Sequence, residues 1–316
     1  MSVNLSANRR DTLAPHLALI AVQIFFGTWP IFGKIVLRSM SSTSLVTCRL
    51  TGAALAFALL QRKMRPLWEM PRRDLAWLVL CSFLGVVGNQ FLYVNGLSLT
   101  TAINASLLAT AIPVFTLVVS VVLGHDKISV RRLVGVLVAA AGVIYLINPQ
   151  RAEFSMATTA GNLLLICNSL FYAVYIVISK DLFQRYGALN VITWLFVLGT
   201  VVTIPVGIYS MSTENVPALG IGIWLAIAFI IIFPTVSAYY LNGWALARVT
   251  PTTVAIYIYL QPLIAFGFAP IILGERFNMR TLIAAALIFL GVALVTWRGR
   301  SRAARDISEH PDALAH

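Results

Sequence analysis

Tyr257 and Gln261 stand four residues apart, and Tyr172 and Tyr175 three apart, so each pair shares one face of a helix. Asn89, Tyr93, Asn104 and Tyr239 add further phenol and amide groups to otherwise apolar sequence. Such groups stack on a solute and exchange hydrogen bonds with it, and they suit one that is neutral, zwitterionic or weakly polar. Groups that make and break bonds are missing from the same stretches. The acidic residues Asp11, Glu69, Asp74, Asp126, Glu153, Asp181, Glu214, Glu275, Asp306, Glu309 and Asp312 all fall in tails, loops or helix ends. His16, His125, His310 and His316 are equally peripheral, and no H-E-x-x-H occurs. A hydrolase working inside the apolar segments needs a base or metal ligands there, and a proton-coupled pump a carboxylate or histidine. Cys48, Cys81 and Cys167 lie far apart in sequence and read as small buried hydrophobes. The expectation is no enzyme, no metal and no cofactor, with movement of the solute down its gradient.

The elements that must hold these groups follow from composition. The chain is 59% hydrophobic and only 11% charged, with a mean hydropathy of +0.87, whereas a soluble domain carries about a quarter charged residues. The charges gather between apolar runs of about 20 residues, the length that crosses a hydrocarbon core of about 30 Å. Ten transmembrane helices are predicted, over 15–37, 44–61, 75–97, 102–123, 131–147, 160–180, 188–209, 219–241, 251–273 and 280–297. Groups such as the phenols and amides above would lack partners against lipid, so they are expected to face the bundle interior. Asn95 and Asn242, at helix ends, read instead as interhelical hydrogen-bonding residues.

The net charge of +12 would fit nucleic-acid binding, but its distribution argues otherwise. With residues 1–14 inside, Arg9, Arg10, Arg62, Lys63, Arg65, Arg72, Arg73, Lys127, Arg131, Arg132, Lys180, Arg185, Arg248 and the tail arginines 298, 300, 302 and 305 are inside too. Only Lys34, Arg38, Arg151, Arg276 and Arg280 fall outside. That asymmetry places both termini in the cytoplasm and the chain in the inner (plasma) membrane. Its expected partners are the lipid bilayer and a small-molecule solute, not nucleic acid; oligomeric state is left open.

Arg49 is the one charge within an apolar helix. It could pair with a solute carboxylate. Its depth, about five residues or ~7.5 Å from the outer helix end, favours snorkelling to the headgroups or pairing with a carbonyl near that end instead.

The chain repeats itself. Pro113 pairs with Pro262, Asp126 with Glu275, Lys127 with Arg276, Arg131 with Arg280 and Gly142 with Gly291, each 149 residues apart, and "YVNG" at Tyr93–Gly96 matches "YLNG" at Tyr240–Gly243. Two five-helix units result, 15–147 and 160–297, joined by an outer linker over 148–159 and flanked by cytoplasmic tails 1–14 and 298–316. Five is odd, so the second unit is inverted, an arrangement recurrent in secondary transporters. Pro113 and Pro262 fall near the bilayer midplane. They are expected to break their helices and free the carbonyls of Ala109 and Ile258, a paired interruption that points to a binding site.

Residues 93–146 and 240–295 each resemble the second part of an EamA-type repeat of the drug/metabolite transporter superfamily. The resemblance covers residues 15–297. It implies an all-α membrane protein of ten helices, a cavity between two repeats, and passage of small metabolites, often amino acids or related compounds and often outward. The chain departs from the pattern at Gly124-His125-Asp126, where Gly-Glu is usual, and at Phe26-Gly27, where Trp-Gly is common. Distantly similar small multidrug exporters use a glutamate in their first helix; this chain has none, which disfavours carboxylate-driven export of organic cations. A non-transporting scaffold or receptor and a lipid translocase are the alternative readings.

Overall fold

Apolar runs with no water to satisfy their backbone can only close their hydrogen bonds within themselves, as helices. The computed structural model describes residues 5–61, 66–124, 130–147, 156–214, 219–276 and 279–296, and no strand occurs among them. In order come α1 (Leu5–Val36), α2 (Ser42–Leu60), α3 (Arg72–Ser82), α4 (Gly88–Leu99), α5 (Ala102–Leu108), α6 (Ala111–Val122) and α7 (Val130–Ile147). The second half holds α8 (Met156–Tyr186), α9 (Ala188–Ser212), α10 (Ile221–Ile231), α11 (Ala238–Leu246), α12 (Pro251–Ile256), α13 (Leu260–Leu273) and α14 (Met279–Thr296). Eight helical stretches among the described residues are long and apolar enough to span a membrane, with Met279–Gly291 a shorter apolar one. This is an all-α membrane protein. α1 begins at Leu5, so the helix runs back into the stretch expected as a polar tail. His125, Asp126, Lys127, Arg62, Lys63, Arg65, Arg151, Glu153, most of the expected linker and the tail from 297 lie outside the described residues.

Four of the spans are composite, and their joints come in pairs. α3 passes into α4 through a π-helical turn, Phe83–Val87, and α10 into α11 through another, Ile232–Ser237. Aligned through the two Tyr-x-Asn-Gly motifs, these turns overlap. α5 stops at Leu108 before α6 starts at Ala111, and α12 gives way to a 3₁₀ turn, Tyr257–Tyr259, before α13. Pro113 and Pro262 are each the third residue of the helix that follows the joint. A missing N–H costs nothing in a first turn, so each proline starts a helix rather than interrupting one. At the first joint the expected free carbonyl is engaged instead: Ala109 O accepts the Ile112 N–H at 3.0 Å. Thr101 and Thr250 cap the two short helices alike, each side chain accepting an N–H three residues on. The left-handed glycines Gly124 (φ 74°) and Gly274 (φ 69°) end α6 and α13. They stand 150 residues apart, one more than the prolines.

The packing is exchanged between halves. α1 packs on α13 and α11, while its counterpart α8 packs on α6 and α4; α2 packs on α9, and α7 on α14. At the α4–α8 crossing Gly96 and Gly161 face each other, and a Cβ on either would sit 2.9 Å from the other's carbonyl oxygen, the close approach that small residues permit between membrane helices. Helix ends fall into two groups. At one end Lys34 Nζ donates to Ser98 O, the Ser41 N–H to Glu214, and Arg280 to Tyr145 O. At the other, Asp74 meets Arg185 and Tyr186, and Gln184 donates to Ala247 O.

Candidate functional site

The composite spans cross the bundle around one cavity, with about 460 Å³ of atom-free space. α1 contributes Phe26 and Trp29, α2 Arg49, and α4 Asn89, Gln90 and Tyr93; Ala109 and Ile112 come from the α5–α6 joint. α8 contributes Asn168 and Tyr172, α11 Tyr239 and α13 Gln261. The enclosed part of it is small, about 50 Å³, so the cavity is constricted as it stands.

Arg49 organises one side of it. The side chain is 1% exposed and does not reach a headgroup, so the snorkelling expectation fails. Its Nε and Nη2 both donate to Thr235 Oγ1, at 3.1 and 2.9 Å, and its Nη1 donates to Gln90 Oε1. The guanidinium lies 3.8 Å from the centre of the Trp29 ring, a cation–π contact worth about 2 kcal/mol where water is excluded. Trp29 in turn stacks on Tyr93, 5.8 Å between centroids. Because Gln90 accepts from Arg49 through its oxygen, its amide nitrogen is left to donate, and does so to Tyr239 Oη at 2.9 Å. The Tyr239 hydroxyl in turn donates to Gly85 O at 3.1 Å. The chain therefore has one direction, from guanidinium to backbone carbonyl.

Both π-turns feed this chain. Thr235 belongs to the second, and its hydroxyl donates five residues back to Ile230 O at 2.7 Å, leaving its lone pairs for Arg49. Gly85 belongs to the first, where the looser turn offers its carbonyl to Tyr239. Widened turns of this kind recur at functional sites. Asn168 Nδ2 holds Asn89 O at 2.8 Å, Asn242 Nδ2 holds Tyr172 Oη at 3.0 Å, and Gln261 Nε2 reaches the buried Gln23 Oε1 at 2.7 Å.

Of the residues singled out in sequence, Asn89, Tyr93, Tyr172, Tyr239 and Gln261 meet at the cavity. Three do not. Tyr175 is fully buried behind Tyr172, packed on it and on Phe183. Tyr257 sits at the 3₁₀ turn, where its hydroxyl meets His16 Nδ1 at 2.8 Å. Asn104 lies in the first turn of α5, near a helix end, and donates to Thr100. The i, i+4 spacing of Tyr257 and Gln261 counted on an unbroken helix, and the joint before α13 rotates the two apart. Among the cysteines only Cys81 is buried; Cys48 is half-buried and Cys167 exposed. Phe26, Trp29, Arg49, Gln90 and Asn168 were not selected. Arg49, the sole charge within an apolar helix, was the signal available for that group.

An all-helical bundle of apolar spans around a buried polar and aromatic cavity defines a multi-pass membrane protein. The EamA-like transporter family model matches residues 13–148 and 159–297, and the chain belongs to that family: it is a membrane transporter with two copies of the family's domain. It is similar to an uncharacterized transporter of Archaeoglobus fulgidus, 30% identical over 89% of this chain and 96% of the relative. It is also similar to a WAT1-related protein of Arabidopsis thaliana, 27% identical over 91% of this chain and 79% of that one. A solved crystal structure with 20% identity superposes with a TM-score of 0.59 over 90% of this chain and 96% of that one, a likeness of fold.

Proposed function

We propose that the chain moves a small metabolite across the inner membrane by exposing this cavity alternately to its two ends, as a facilitated exporter with both termini in the cytoplasm. The observation that carries the reading is the cavity itself: paired joints from both halves converge on it, yet it is too constricted to admit a metabolite without rearrangement. Closed contacts at both ends, Glu275 over α5 and Asp74 with Arg185 and Tyr186, fit a protein caught between open states. The exchanged packing of the halves supports two inverted repeats, since Leu123 lines the end that holds Arg185 while the equivalent Leu273 lines the end that holds Lys34. On this reading Asn89, Tyr93, Tyr172, Tyr239 and Gln261 contact the solute. Pro113 and Pro262 fix the joints about which the halves rearrange, Tyr175 backs the wall, and Tyr257 and Asn104 hold groups away from the cavity.

Counterflow in proteoliposomes over amino acids, amines, organic acids, sugars and nucleosides tests it. Uptake of one class above empty liposomes is expected. Absence of flux for every class would favour a scaffold or receptor, and scrambling of labelled lipid a translocase.

A further inference from the structure

Arg49 keeps a positive charge in the interior with no acid beside it among the described residues. An arginine guanidinium stays protonated in proteins, and a lone buried charge is expensive unless something answers it. The cavity lining contains no Asp or Glu. Three of the described acids are engaged at the ends of the bundle: Glu214 by Ser41 and Ser44, Glu275 by α5, and Asp74 by Arg185 and Tyr186. The groups that do touch Arg49 are neutral: Thr235, Gln90 and the Trp29 ring. They orient the guanidinium without cancelling its charge. Of its five N–H groups, Thr235 takes the Nε/Nη2 edge and Gln90 one proton of Nη1. One N–H on each terminal nitrogen is left over, two donors that the oxygens of a carboxylate can accept.

We propose that Arg49 is the anion-recognition residue of this cavity, and that the solute carries one carboxylate on a flat apolar body. This rests on the reading of the cavity as the solute's path. A single cation answers a single negative charge; a dicarboxylate or phosphate ester would bring a second charge that no lining residue neutralises. An ammonium group finds no carboxylate there either, which ranks a simple acid above an amine and above an amino acid. The flat body follows from the aromatic walls, where Trp29 and Tyr93 stack and Phe26 meets Tyr239 edge to face.

The test uses the full chain in lipid nanodiscs for binding and in proteoliposomes for flux, with phenylacetate, phenylacetamide, phenylalanine and phenethylamine as probes. Phenylacetate is expected to bind about tenfold or more tighter than its isosteric amide, as a charge-assisted bidentate pair requires, with phenylalanine weaker and phenethylamine weakest. Arg49→Gln, which keeps hydrogen-bonding capacity, is expected to bring acid and amide within about twofold, while Arg49→Lys retains part of the preference. Should Arg49→Gln fail to fold, the acid–amide comparison on the unaltered chain decides alone. Equal binding of acid and amide, or binding of none of the four probes, overturns the proposal. Flux of the neutral or cationic probes without preference for the acid would overturn it while leaving the transport reading intact. Acid-selective binding with no flux of any probe would uphold the site, and with the wider counterflow panel also silent would overturn transport.

Discussion

Glu275, in the second half of the chain, closes over the first turn of α5 in the first half: its carboxylate accepts the Ala102 N–H at 2.7 Å and the Ile103 N–H at 3.0 Å. Two of the helix's unpaired donors are satisfied at once, and the negative charge meets the positive end of the helix dipole. The paired position in the other half cannot copy this, because α12 begins with Pro251, which has no N–H. The two ends of the bundle are therefore fastened differently although the halves share a plan.

Removing that fastening has a defined cost. Glu275→Gln leaves one oxygen to accept and removes the charge, so thermal unfolding in detergent should show a loss of about 1 kcal/mol. Glu275→Ala should cost more than Glu275→Gln. Equal midpoints for all three proteins would mean that the contact is incidental.

Gly85 is a second fixed point. A Cβ there would sit 2.5 Å from the ring of Tyr175, itself fully buried and unable to step aside. Gly85→Ala should destabilise by about 1–3 kcal/mol through overpacking and displace the carbonyl that receives Tyr239. Gly267→Ala, where a Cβ would meet nothing within 4 Å, is the matched control and should be neutral or slightly stabilising. Unfolding midpoints of the pair check the difference.

Tyr239→Phe removes one oxygen and breaks two hydrogen bonds, those with Gln90 and with Gly85 O. Buried groups left without partners cost about 1–3 kcal/mol each in the unrelaxed case. Freed from Tyr239, Gln90 also loses its reason to present its oxygen to Arg49. The variant should lower flux far more than Tyr240→Phe, whose side chain is half-exposed outside the cavity; comparable flux in the two would remove Tyr239 from the site.

Glu214 makes stability sensitive to acid. Burial pushes its carboxyl up, but hydrogen bonds from the Ser41 side chain, Ser44, the Ser41 backbone and Ser210 outweigh that and hold it below its ordinary 4.5. The ionised form is the one favoured by folding, so its contribution is fully present above that ordinary value. It is lost as pH falls through the depressed value. The unfolding midpoint of the native protein should drop more between pH 6 and pH 3, a window of about three units, than that of Glu214→Gln. Parallel pH profiles would show that the hydrogen bonds add nothing at this surface.

The sequence alone determined the solvent, the helical class and the duplication, because these follow from local quantities: the length of apolar runs, the spacing of charges, and a motif repeated at fixed offset. It also picked out five of the residues that meet at the cavity. A phenol or amide in the middle of a membrane helix gains partners by facing the interior, whereas one near a helix end, such as the half-exposed Tyr240, need not. Which of them meet, and around what, was decided only in three dimensions. A joint of two or three residues turns Tyr257 away from Gln261, and two π-turns deliver Thr235 and Gly85 to groups far away in the chain. Arg49 shows the limit most clearly. Its depth along α2 pointed to the surface, but its long side chain follows the packing of α2 against its neighbours rather than its position in sequence. Orientation about a helix axis depends on a few backbone torsions at the joints and on which helix packs where, and neither is written in any single stretch of residues.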